Sequence, residues 1–523
     1  MENKKSSQAI RQMKKVKKLL LGRVIFIALA VALQFSWIFL VAFRFSRQYS
    51  FLNIILEIIG ILMVLHIINQ WSNPAYKIVW TFVILIFPLG GILIYVMFGR
   101  SKLTKHTRER MEHVHQELVP LLPKNEDLER AMAGENPVAA NQSSYMTNWA
   151  DYPVYDNTKT KYYTCGEEMY PDMLRDLAGA EHFIFLEYFI LDDGVMLETI
   201  VDILEEKAKS GVDVRLIYDD FGTITTLSPK FFEQLRRKGI KCVPFNRLRP
   251  VMSVIMNNRD HRKIFVVDGV IGYTGGLNLA DEYINVRKRF GYWKDTGIRL
   301  YGDAVWSFTA MFLEMWNYIN RSSEDYMRFH PQNFPYERSE TPGYVQPYGD
   351  TPLDKEKVGE NVYMNLIGHA SKYVYIFTPY LILDNEMLTY LRNAAKSGVD
   401  VRIVTPEIPD KKIIFWMTQS YYQRLLECGV RIYQYTPGFI HAKTFVCDDE
   451  FATVGSINMD FRSLYLHFEC GVWLYGTDTI AKIKQDADDT IACSREITIE
   501  DCARHSWLKR GILSVLRLIA PLV

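Results

Sequence analysis

The hydrophobic and polar positions divide the chain into an apolar N-terminal part and a longer part of mixed character. Three apolar segments lie close together at the start, at Val24–Phe43, Phe51–Ile68 and Ile78–Phe98. A helix over the first segment would cover the roughly 30 Å hydrocarbon layer of a bilayer. Such a succession is improbable for core helices of a soluble domain, and no signal-peptide cleavage pattern follows. Residues 1–98 are therefore predicted to form a membrane anchor of two or three apolar helices.

The path of this anchor through a membrane depends on its third segment, which Pro88-Leu89-Gly90-Gly91 interrupts. Eight Lys and Arg side chains precede the anchor within the first 23 residues, and five more follow between Arg100 and Arg110. Basic residues mark the cytosolic side of a membrane. Three full spans would place the two basic clusters on opposite sides. Two spans and one kinked or re-entrant segment would place both in the cytosol, and the Pro-Gly interruption favours this second arrangement.

The mixed part of the chain is a duplication. Residues 208–217 recur almost unchanged at 395–404, and the flanking segments follow in the same order. Each half alternates short β-branched strands, predicted at Val212–Tyr218, Ile264–Val267, Val401–Val404 and Thr444–Val446, with amphipathic helices. This alternation is typical of an α/β sheet with helices on its faces. We expect a linker at 99–150, a first lobe at 151–320, a proline-rich connector at 321–361 and a second lobe at 362–523.

One polar pattern occurs once in each half. The pattern H-x-K-x4-D-x6-G-[G/S]-x-N fits His261, Lys263, Asp268, Gly276 and Asn278, and it fits His441, Lys443, Asp448, Ser456 and Asn458. A single His-x-Lys pair could be a solvated strand edge, but two full matches at the repeat spacing could not. If each His-x-Lys lies in a strand, its two side chains project from the same face. The two halves are therefore predicted to share one site.

Two histidines, two lysines and two asparagines suit a phosphodiester substrate. Lysine ammonium groups and the side chains of Asn278, Asn458 and Ser456 can hold phosphate oxygens while charge develops. One imidazole can attack phosphorus, and the other can protonate the departing oxygen and then deprotonate the incoming hydroxyl. This scheme uses neither a metal nor another cofactor, and no carboxylate cluster suited to a metal is evident.

Charge and cysteine content narrow the class further. The formal net charge of the whole chain is only +1, so the excess of basic residues is local to the N-terminus. A basic segment of this kind can bind an anionic lipid surface or nucleic acid. The seven cysteines form no C-x-x-C pair, which argues against a zinc site and a disulfide framework. Reduced thiols are typical of a protein that faces the cytosol.

The motif text resembles the phospholipase D superfamily, and within it the bacterial cardiolipin synthases. Similar stretches include Asn258–Ile264, Gly272–Ile284, Gly438–Lys443 and Ser456–Ser463, and the resemblance runs from about residue 51 to the C-terminus. It implies two α/β lobes that share one active site. It also implies condensation of two phosphatidylglycerols into cardiolipin and glycerol. The apolar segments predict a multi-pass protein of the bacterial cell membrane, and the two basic clusters and unpaired cysteines predict that its lobes face the cytosol.

The resemblance also implies individual roles. His261 would be the nucleophile and His441 the general acid and base, with the reverse assignment open. Asp268 and Asp448 would support their loops, while Asp295 and Glu469 would each orient one histidine. The sequence departs from the family at His467, where Asn is usual, and in residues 1–50, which have no counterpart in the common two-helix anchor.

Three alternatives belong to other functional classes. A phospholipase D-type hydrolase would release phosphatidic acid, because the motif does not choose between water and an alcohol as acceptor. A nuclease fits the basic N-terminus but not the apolar segments, so phosphatidylglycerol, cardiolipin and the bilayer are expected as partners rather than nucleic acid. A membrane scaffold would need neither histidine motif. The amphipathic C-terminal tail, Trp507–Ile519, could lie on an anionic membrane or close the second lobe.

Overall fold

The computed structural model describes residues 50–70, 72–99, 105–247, 257–338, 340–354, 356–504 and 506–522, with isolated positions at 29, 32, 33, 35–37, 39 and 40. The apolar segment predicted at Val24–Phe43 and the basic N-terminus thus fall largely or wholly outside the described residues.

The apolar residues that follow form short helices at Ser50–Ile68, Pro74–Ile86 and Pro88–Ile94, and then a π-helical turn at Tyr95–Gly99. The helix ends at Phe87 and the chain folds back on itself. The two parts approach so closely that a β-carbon on Gly91 would lie 2.4 Å from the Val83 carbonyl oxygen. This break confirms the interruption predicted at Pro88. Within the described residues, no helix combines the length and the apolar character that crossing a membrane requires.

Residues 105–150, predicted as part of a linker, fold into helices. These helices span Lys105–Leu118, Glu126–Glu135 and Pro137–Ala150. Met111 and Leu118 enter one hydrophobic core, while Met132 and Met146 enter another. Each helix contributes few apolar side chains to these cores, which explains why the sequence pattern did not indicate packing.

Among the described residues, the first half of the duplication has nine strands, seven of which form one sheet. Its strands are β1 (Thr158–Tyr163), β2 (Phe183–Tyr188), β3 (Asp213–Asp219), β4 (Lys241–Phe245), β5 (Arg259–Asp260), β6 (Ile264–Val267), β7 (Ile271–Gly275), β8 (Tyr292–Lys294) and β9 (Gly297–Gly302). The sheet order is β1-β9-β7-β6-β2-β3-β4, and β5 and β8 lie outside it. The helices are Gly166–Ala178, Val195–Lys209, Asp220–Thr223, Pro229–Arg237 and Val305–Asn320.

The second half repeats this plan. Its strands are β10 (Tyr344–Asp350), β11 (Tyr373–Phe377), β12 (Asp400–Pro406), β13 (Arg431–Tyr435), β14 (Gly438–Ile440), β15 (Thr444–Cys447), β16 (Phe451–Gly455), β17 (His467–Tyr475) and β18 (Ser494–Ile497). The sheet order is β10-β17-β16-β15-β11-β12-β13-β18. The helices are Val358–His369, Asn385–Lys396, Lys412–Leu426, Phe461–Tyr465, Thr479–Ala492, Ile499–Ala503 and Trp507–Ile519. The duplicated α/β fold and the four predicted strands are confirmed.

The connector between the halves differs from its prediction as an unpacked segment. Its residues Tyr344–Asp350 form β10, which pairs antiparallel with β17 at the edge of the second sheet. Pro347 lies in this strand opposite Val472. An edge strand tolerates proline because it can leave one backbone position without a ladder hydrogen bond. The high proline content had favoured a loop.

The lobes are joined by reciprocal strand exchange and by a shared core. Strand β5 of the first half pairs in parallel with β17 of the second, and β14 of the second pairs in parallel with β8 of the first. Helix Val305–Asn320 is buried along most of its length and belongs to a core that includes side chains of both sheets. Both motif histidines directly follow an exchanged strand.

Candidate active site

Both His-x-Lys segments lie immediately after an exchanged strand rather than inside one. His261 and Lys263 fall between β5 and β6, and His441 and Lys443 fall between β14 and β15. The prediction that each pair lies within a strand is therefore wrong. The reason is that each histidine backbone binds the other lobe: His261 N–H donates to the Phe468 carbonyl at 2.9 Å, and His441 N–H donates to the Lys294 carbonyl at 2.7 Å.

The imidazole of His261 is held by a carboxylate from the second lobe. Its Nδ1 lies 2.9 Å from both carboxylate oxygens of Glu469, which projects from β17. Ser456 Oγ donates to Glu469 Oε2 at 2.5 Å and so fixes the carboxylate from behind. An ionised carboxylate only accepts hydrogen bonds, so Nδ1 carries the proton and Nε2 keeps its lone pair.

The imidazole of His441 is held in the same way by the first lobe. Its Nδ1 lies 2.7 Å from Asp295 Oδ2, and the Thr296 backbone N–H donates to Asp295 Oδ1 at 2.9 Å. Asp295 follows β8 directly, just as Glu469 lies in β17. Each histidine is therefore oriented by an acid of the opposite lobe, so neither half contains a complete site.

The two lysines lie under the histidines and are almost fully buried. Lys263 Nζ donates to the His261 carbonyl oxygen at 2.5 Å. Lys443 Nζ donates to the His441 carbonyl oxygen and lies 2.8 Å from His441 Nδ1. Lys263 and Lys443 are 2% and 1% exposed, so water cannot screen their charge and they act strongly on any phosphate that enters.

Burial governs the protonation of this cluster. It lowers the pKa of His261 to about 3 and that of His441 to about 4, so both imidazoles are neutral at pH 7. It also lowers the pKa of Lys263 to about 8 and that of Lys443 to about 7. Burial alone would raise the pKa of Glu469, but the adjacent His261 holds it well below its ordinary value.

The motif aspartates lie away from the imidazoles and bind backbone. Asp268 accepts hydrogen bonds from the N–H groups of Glu181, His182 and Phe183, each at 2.8 Å. Asp448 does the same for Ser371, Lys372 and Tyr373 at 2.6–2.9 Å. Both aspartates have a positive φ, 49° and 55°. They fix the chain that leads into β2 and β11, which fits the loop-supporting role that the family resemblance implies.

The two motif asparagines differ in their contacts. Asn278 Oδ1 accepts from the Ile190 N–H at 3.0 Å, and its Nδ2 donates to the Tyr283 hydroxyl at 2.7 Å. Asn458 is buried, and its Oδ1 has no hydrogen-bond partner among the described residues. Ser456, expected to touch phosphate, instead binds Glu469. Asn458 is therefore the motif asparagine with an unused side-chain acceptor, whereas both ends of the Asn278 amide are occupied.

The motif position two residues before the asparagine is Gly276 in the first lobe and Ser456 in the second, and the difference has a steric reason. A β-carbon on Gly276 would lie 2.0 Å from Asp295 Oδ1. In the second lobe the corresponding Ser456 fits, because its hydroxyl binds Glu469 instead of colliding with it. A side chain at this position thus fits beside Glu469 but not beside Asp295.

Several charged residues beside the motif escaped the sequence analysis. Arg262 Nε donates to Glu187 Oε1 at 2.6 Å, and both side chains are buried. The Asp260 N–H donates to Asp219 Oδ2 at 3.0 Å. Glu187 was visible as an acid inside the apolar stretch Phe183–Tyr188, a pattern that indicates a buried ion pair. These groups hold β5 and the start of the His261 segment.

Aromatic rings close the sides of the site. His261 lies between Phe189 and His467, with ring centroids at 5.1 and 5.7 Å. His441 lies against Tyr283 and Trp293, both at 5.5 Å. Within the described part of the chain, only His261, His467 and Glu469 have the mutual spacing of metal ligands, with donor atoms within 4.8 Å of one another.

Comparison with known proteins yields two family matches. A family model described as "Cardiolipin synthase, PLD-like domain" matches residues 173–290 and 363–491. A second, described as phospholipase D-nuclease N-terminal, matches residues 58–100. The first pair of matches lies within the two halves of the duplication, and the second includes the apolar helices from Ile58 onward.

Curated relatives match along most of the chain. A cardiolipin synthase of Geobacillus kaustophilus is 36% identical, over 89% of this chain and 92% of the relative. Cardiolipin synthase 1 of Bacillus anthracis is 34% identical, over 93% of this chain and 96% of the relative. An uncharacterized protein of Streptococcus mutans is 42% identical, over 88% of this chain and 99% of the relative.

Among solved structures, phosphatidylserine synthase of Haemophilus influenzae superposes with a TM-score of 0.55 at 15% identity. The superposition covers 74% of this chain and all of that one. At this identity the likeness concerns the fold alone.

Proposed function

The chain belongs to the cardiolipin synthase family with phospholipase D-like domains, and we propose that it is a phosphatidyltransferase that converts two phosphatidylglycerol molecules into cardiolipin and glycerol. One observation carries the mechanistic part of this proposal. Each of two neutral, buried histidines is oriented by a carboxylate of the opposite lobe, at 2.9 Å for His261 and 2.7 Å for His441. Such a pair supplies one nucleophile and one proton carrier.

The first step forms a covalent intermediate. His261 Nε2 attacks the phosphorus of one phosphatidylglycerol, the P–O bond to the glycerol headgroup breaks, and His441 gives its proton to the departing oxygen. His441 must be protonated for this, although burial lowers its pKa to about 4. The phosphate anion favours the imidazolium when it binds, and Asp295 stabilises the same charge.

The second step reverses the roles. The headgroup hydroxyl of a second phosphatidylglycerol gives its proton to His441 while its oxygen attacks phosphorus. The bond to His261 then breaks, and cardiolipin leaves. Lys263 and Lys443 offset the phosphate charge in both steps. To test the assignment of the nucleophile, His441→Asn enzyme is incubated with substrate and then quenched: a phosphatidyl adduct on His261 supports it, and an adduct on any other residue contradicts it.

Transfer rather than hydrolysis follows from the position of the site beside lipid. A bound acceptor lipid has the large effective molarity of a positioned reactant, which outweighs bulk water. The test is product analysis with pure phosphatidylglycerol. We expect cardiolipin and glycerol in equal amounts, and added glycerol should regenerate phosphatidylglycerol from cardiolipin. A predominance of phosphatidic acid without this reversal would establish the hydrolase instead.

The anchor is suited to hold the site at a membrane. Large apolar side chains on its helices, such as Ile58, Leu62, Phe82 and Ile86, are exposed, which is unfavourable in water and suits lipid. The turn before Pro74 docks on the second lobe, because Asn73 Nδ2 donates to Asp384 Oδ2 at 3.1 Å and to the Tyr465 hydroxyl at 3.0 Å. We assign the protein a multi-pass topology in the bacterial cell membrane.

The catalytic lobes face the cytosol in this proposal. All seven cysteines are free, and Cys493 is exposed. This natural thiol reports sidedness without any substitution. In intact cells Cys493 should resist a membrane-impermeant thiol reagent and should react after permeabilisation. Reaction in intact cells would place the lobes outside.

The C-terminal helix Trp507–Ile519 adds a second contact with lipid. One of its faces packs on the second lobe through Leu513, and Arg517 donates to the Ser420 carbonyl at 3.2 Å. Its opposite face exposes Leu508, Ile512 and Val515. Both alternatives left open by the sequence thus have a counterpart: one face closes the lobe, and the other is free to enter the interfacial region of a membrane.

A further inference from the structure

The ring that lies beside each catalytic histidine differs between the two halves of the site. His467 precedes Glu469 by two residues in β17, and Trp293 precedes Asp295 by two residues at the end of β8. Their centroids lie 5.7 Å from His261 and 5.5 Å from His441, respectively. These two side chains therefore occupy equivalent positions. Tryptophan offers no ligand atom, whereas histidine offers two.

The His467 side chain makes no hydrogen bond within the described residues although it is nine-tenths buried. Its side chain is 10% exposed, and neither Nδ1 nor Nε2 has a hydrogen-bond partner among the described residues. Its Nδ1 lies 3.8 Å from Glu469 Oε1, too far for a hydrogen bond. A buried polar group without a partner is costly, so one that is present calls for a ligand.

The same Glu469 oxygen connects the two imidazoles. Oε1 lies 2.9 Å from His261 Nδ1 and 3.8 Å from His467 Nδ1. Zinc bonds to nitrogen and oxygen of about 2.0–2.2 Å place tetrahedral ligand atoms about 3.3–3.5 Å apart. Small rotations of His261 and His467 would bring the three groups to this spacing, and a water or a substrate oxygen could complete the shell.

We propose that His261, His467 and Glu469 form an inhibitory site for a divalent transition-metal ion such as Zn²⁺. The imidazole and carboxylate donors match the preference of zinc. Binding through His261 Nδ1 requires the proton of that nitrogen to move to Nε2, which then has no lone pair for attack on phosphorus. The ion then takes the place of the hydrogen bond to Glu469 and holds the imidazole in an unproductive position. The half of the site around His441 cannot do the same, because Trp293 replaces the third ligand.

The first test measures binding to resting enzyme, with no substrate present. Purified full-length protein, freed of metal with a chelator, is titrated with Zn²⁺ by calorimetry and with Co²⁺ by visible absorption. We expect one ion per chain and the intense absorption of four-coordinate Co²⁺. His467→Asn should weaken binding at least about tenfold, since even loss of a supporting group outside the ligand shell costs 10–100-fold. His369→Ala, which removes an exposed histidine elsewhere, should have no effect.

This binding measurement does not depend on the proposed function. Absence of binding to the unmodified protein overturns the site, whatever the variants do. Equal binding by the unmodified protein and a folded His467→Asn variant, judged by circular dichroism, also overturns it. His467→Cys provides a second variant: a thiolate should restore binding and favour the softer Cd²⁺ over Zn²⁺.

The second test measures inhibition, and this arm rests on His261 being required for turnover. Zn²⁺ should inhibit the unmodified enzyme, and a chelator should reverse the inhibition. In His467→Asn, half-inhibition relative to the variant's own uninhibited rate should need at least about tenfold more Zn²⁺. If Zn²⁺ binds as expected but both enzymes keep full activity, the inhibitory role is wrong. If neither enzyme is active while binding persists, the proposed function fails and the site stands.

Discussion

Glu469 of the second lobe lies with both carboxylate oxygens 2.9 Å from the His261 Nδ1 of the first lobe. The relationship is reciprocated by Asp295 and His441 at 2.7 Å. Because strand exchange between β5 and β17 and between β8 and β14 sets both pairs, the active geometry depends on the docking of the lobes.

The two histidines should act as a unit. His261→Ala and His441→Ala should each lower kcat by at least about 10³-fold, and the double variant should be no slower than the worse single variant. The reason is that nucleophilic attack by one imidazole and proton transfer by the other belong to the same reaction, so loss of either one stops it. Steady-state rates with phosphatidylglycerol vesicles check this. His369→Ala serves as the matched surface control, and multiplicative losses in the double variant would contradict a shared site.

Substitution by alanine should lower activity more at Gly276 in the first lobe than at the corresponding Ser456 in the second. Gly276→Ala places a β-carbon 2.0 Å from Asp295 Oδ1. It should displace that carboxylate and lower kcat by up to about 10⁴-fold, as loss of a histidine-orienting acid does in a triad. Ser456→Ala removes the hydrogen bond to Glu469 and the one that Ser456 Oγ accepts from the Cys470 N–H at 3.0 Å, but it displaces no carboxylate, and it should cost roughly 10- to 100-fold.

A double variant isolates the cause. If Gly276→Ala acts through the carboxylate, adding it to Asp295→Asn should lower the rate no further. A further loss of comparable size would show that Gly276→Ala damages the enzyme by another route, such as a general loss of folding, which thermal unfolding would report.

The buried lysines should set the alkaline side of the pH profile. Burial lowers the pKa of Lys263 to about 8 and that of Lys443 to about 7, so their positive charge is present below these values and lost as pH rises through them. We expect kcat/KM to fall between about pH 7 and 8. A bound phosphate favours the charged ammonium, so the corresponding limb of kcat should lie at higher pH.

Substitution with arginine separates this origin from others. The Lys443→Arg variant has a guanidinium, which stays protonated at these pH values. Its reaction should be slower, and the fall in kcat/KM that deprotonation of Lys443 causes at alkaline pH should be absent. Rates across pH 5–10 in a constant-ionic-strength buffer provide the measurement. An unchanged limb in both Lys263→Arg and Lys443→Arg would assign it to another group.

The motif histidines and lysines could be found from sequence because the duplication repeats them at one spacing. The strands that carry their neighbours were also predictable, since Ile264–Val267 and Thr444–Cys447 are short apolar runs. The exchange of β5 and β14 was not, because two- and three-residue strands leave no periodic pattern. Without the exchange, the strand placement of His-x-Lys was the natural expectation, and it was wrong.

The remaining differences have the same kind of cause. Pro347 favoured a loop, although an edge strand accepts it, and residues 105–150 supply too few apolar side chains to indicate their packing. Asp295 and Glu469 came only from the family resemblance, because each acts on a histidine 146 or 208 residues away in the chain. The unpartnered ring nitrogens of His467 depend on burial in three dimensions, which sequence spacing does not reveal.

The C-terminal helix should contact lipid through the face that carries Leu508, Ile512 and Val515. These side chains are 58%, 40% and 61% exposed, while Leu513 on the opposite face is buried against the second lobe. Burying one such side chain in lipid gives about 1.5 kcal/mol or more, and each nearby Lys or Arg adds about 1 kcal/mol on an anionic surface. Lys509 and Arg510 supply positive charges on the same helix. Val515→Asp should therefore lower kcat/KM by up to about tenfold on phosphatidylglycerol vesicles and leave it unchanged in detergent micelles, where no surface must be engaged.

Ser514→Asp adds the same charge one position away, at an exposed residue outside the apolar face, and should have a much smaller effect. Equal losses for both variants on vesicles, or a loss for Val515→Asp in micelles as well, would mean that the helix stabilises the lobe without entering the membrane surface.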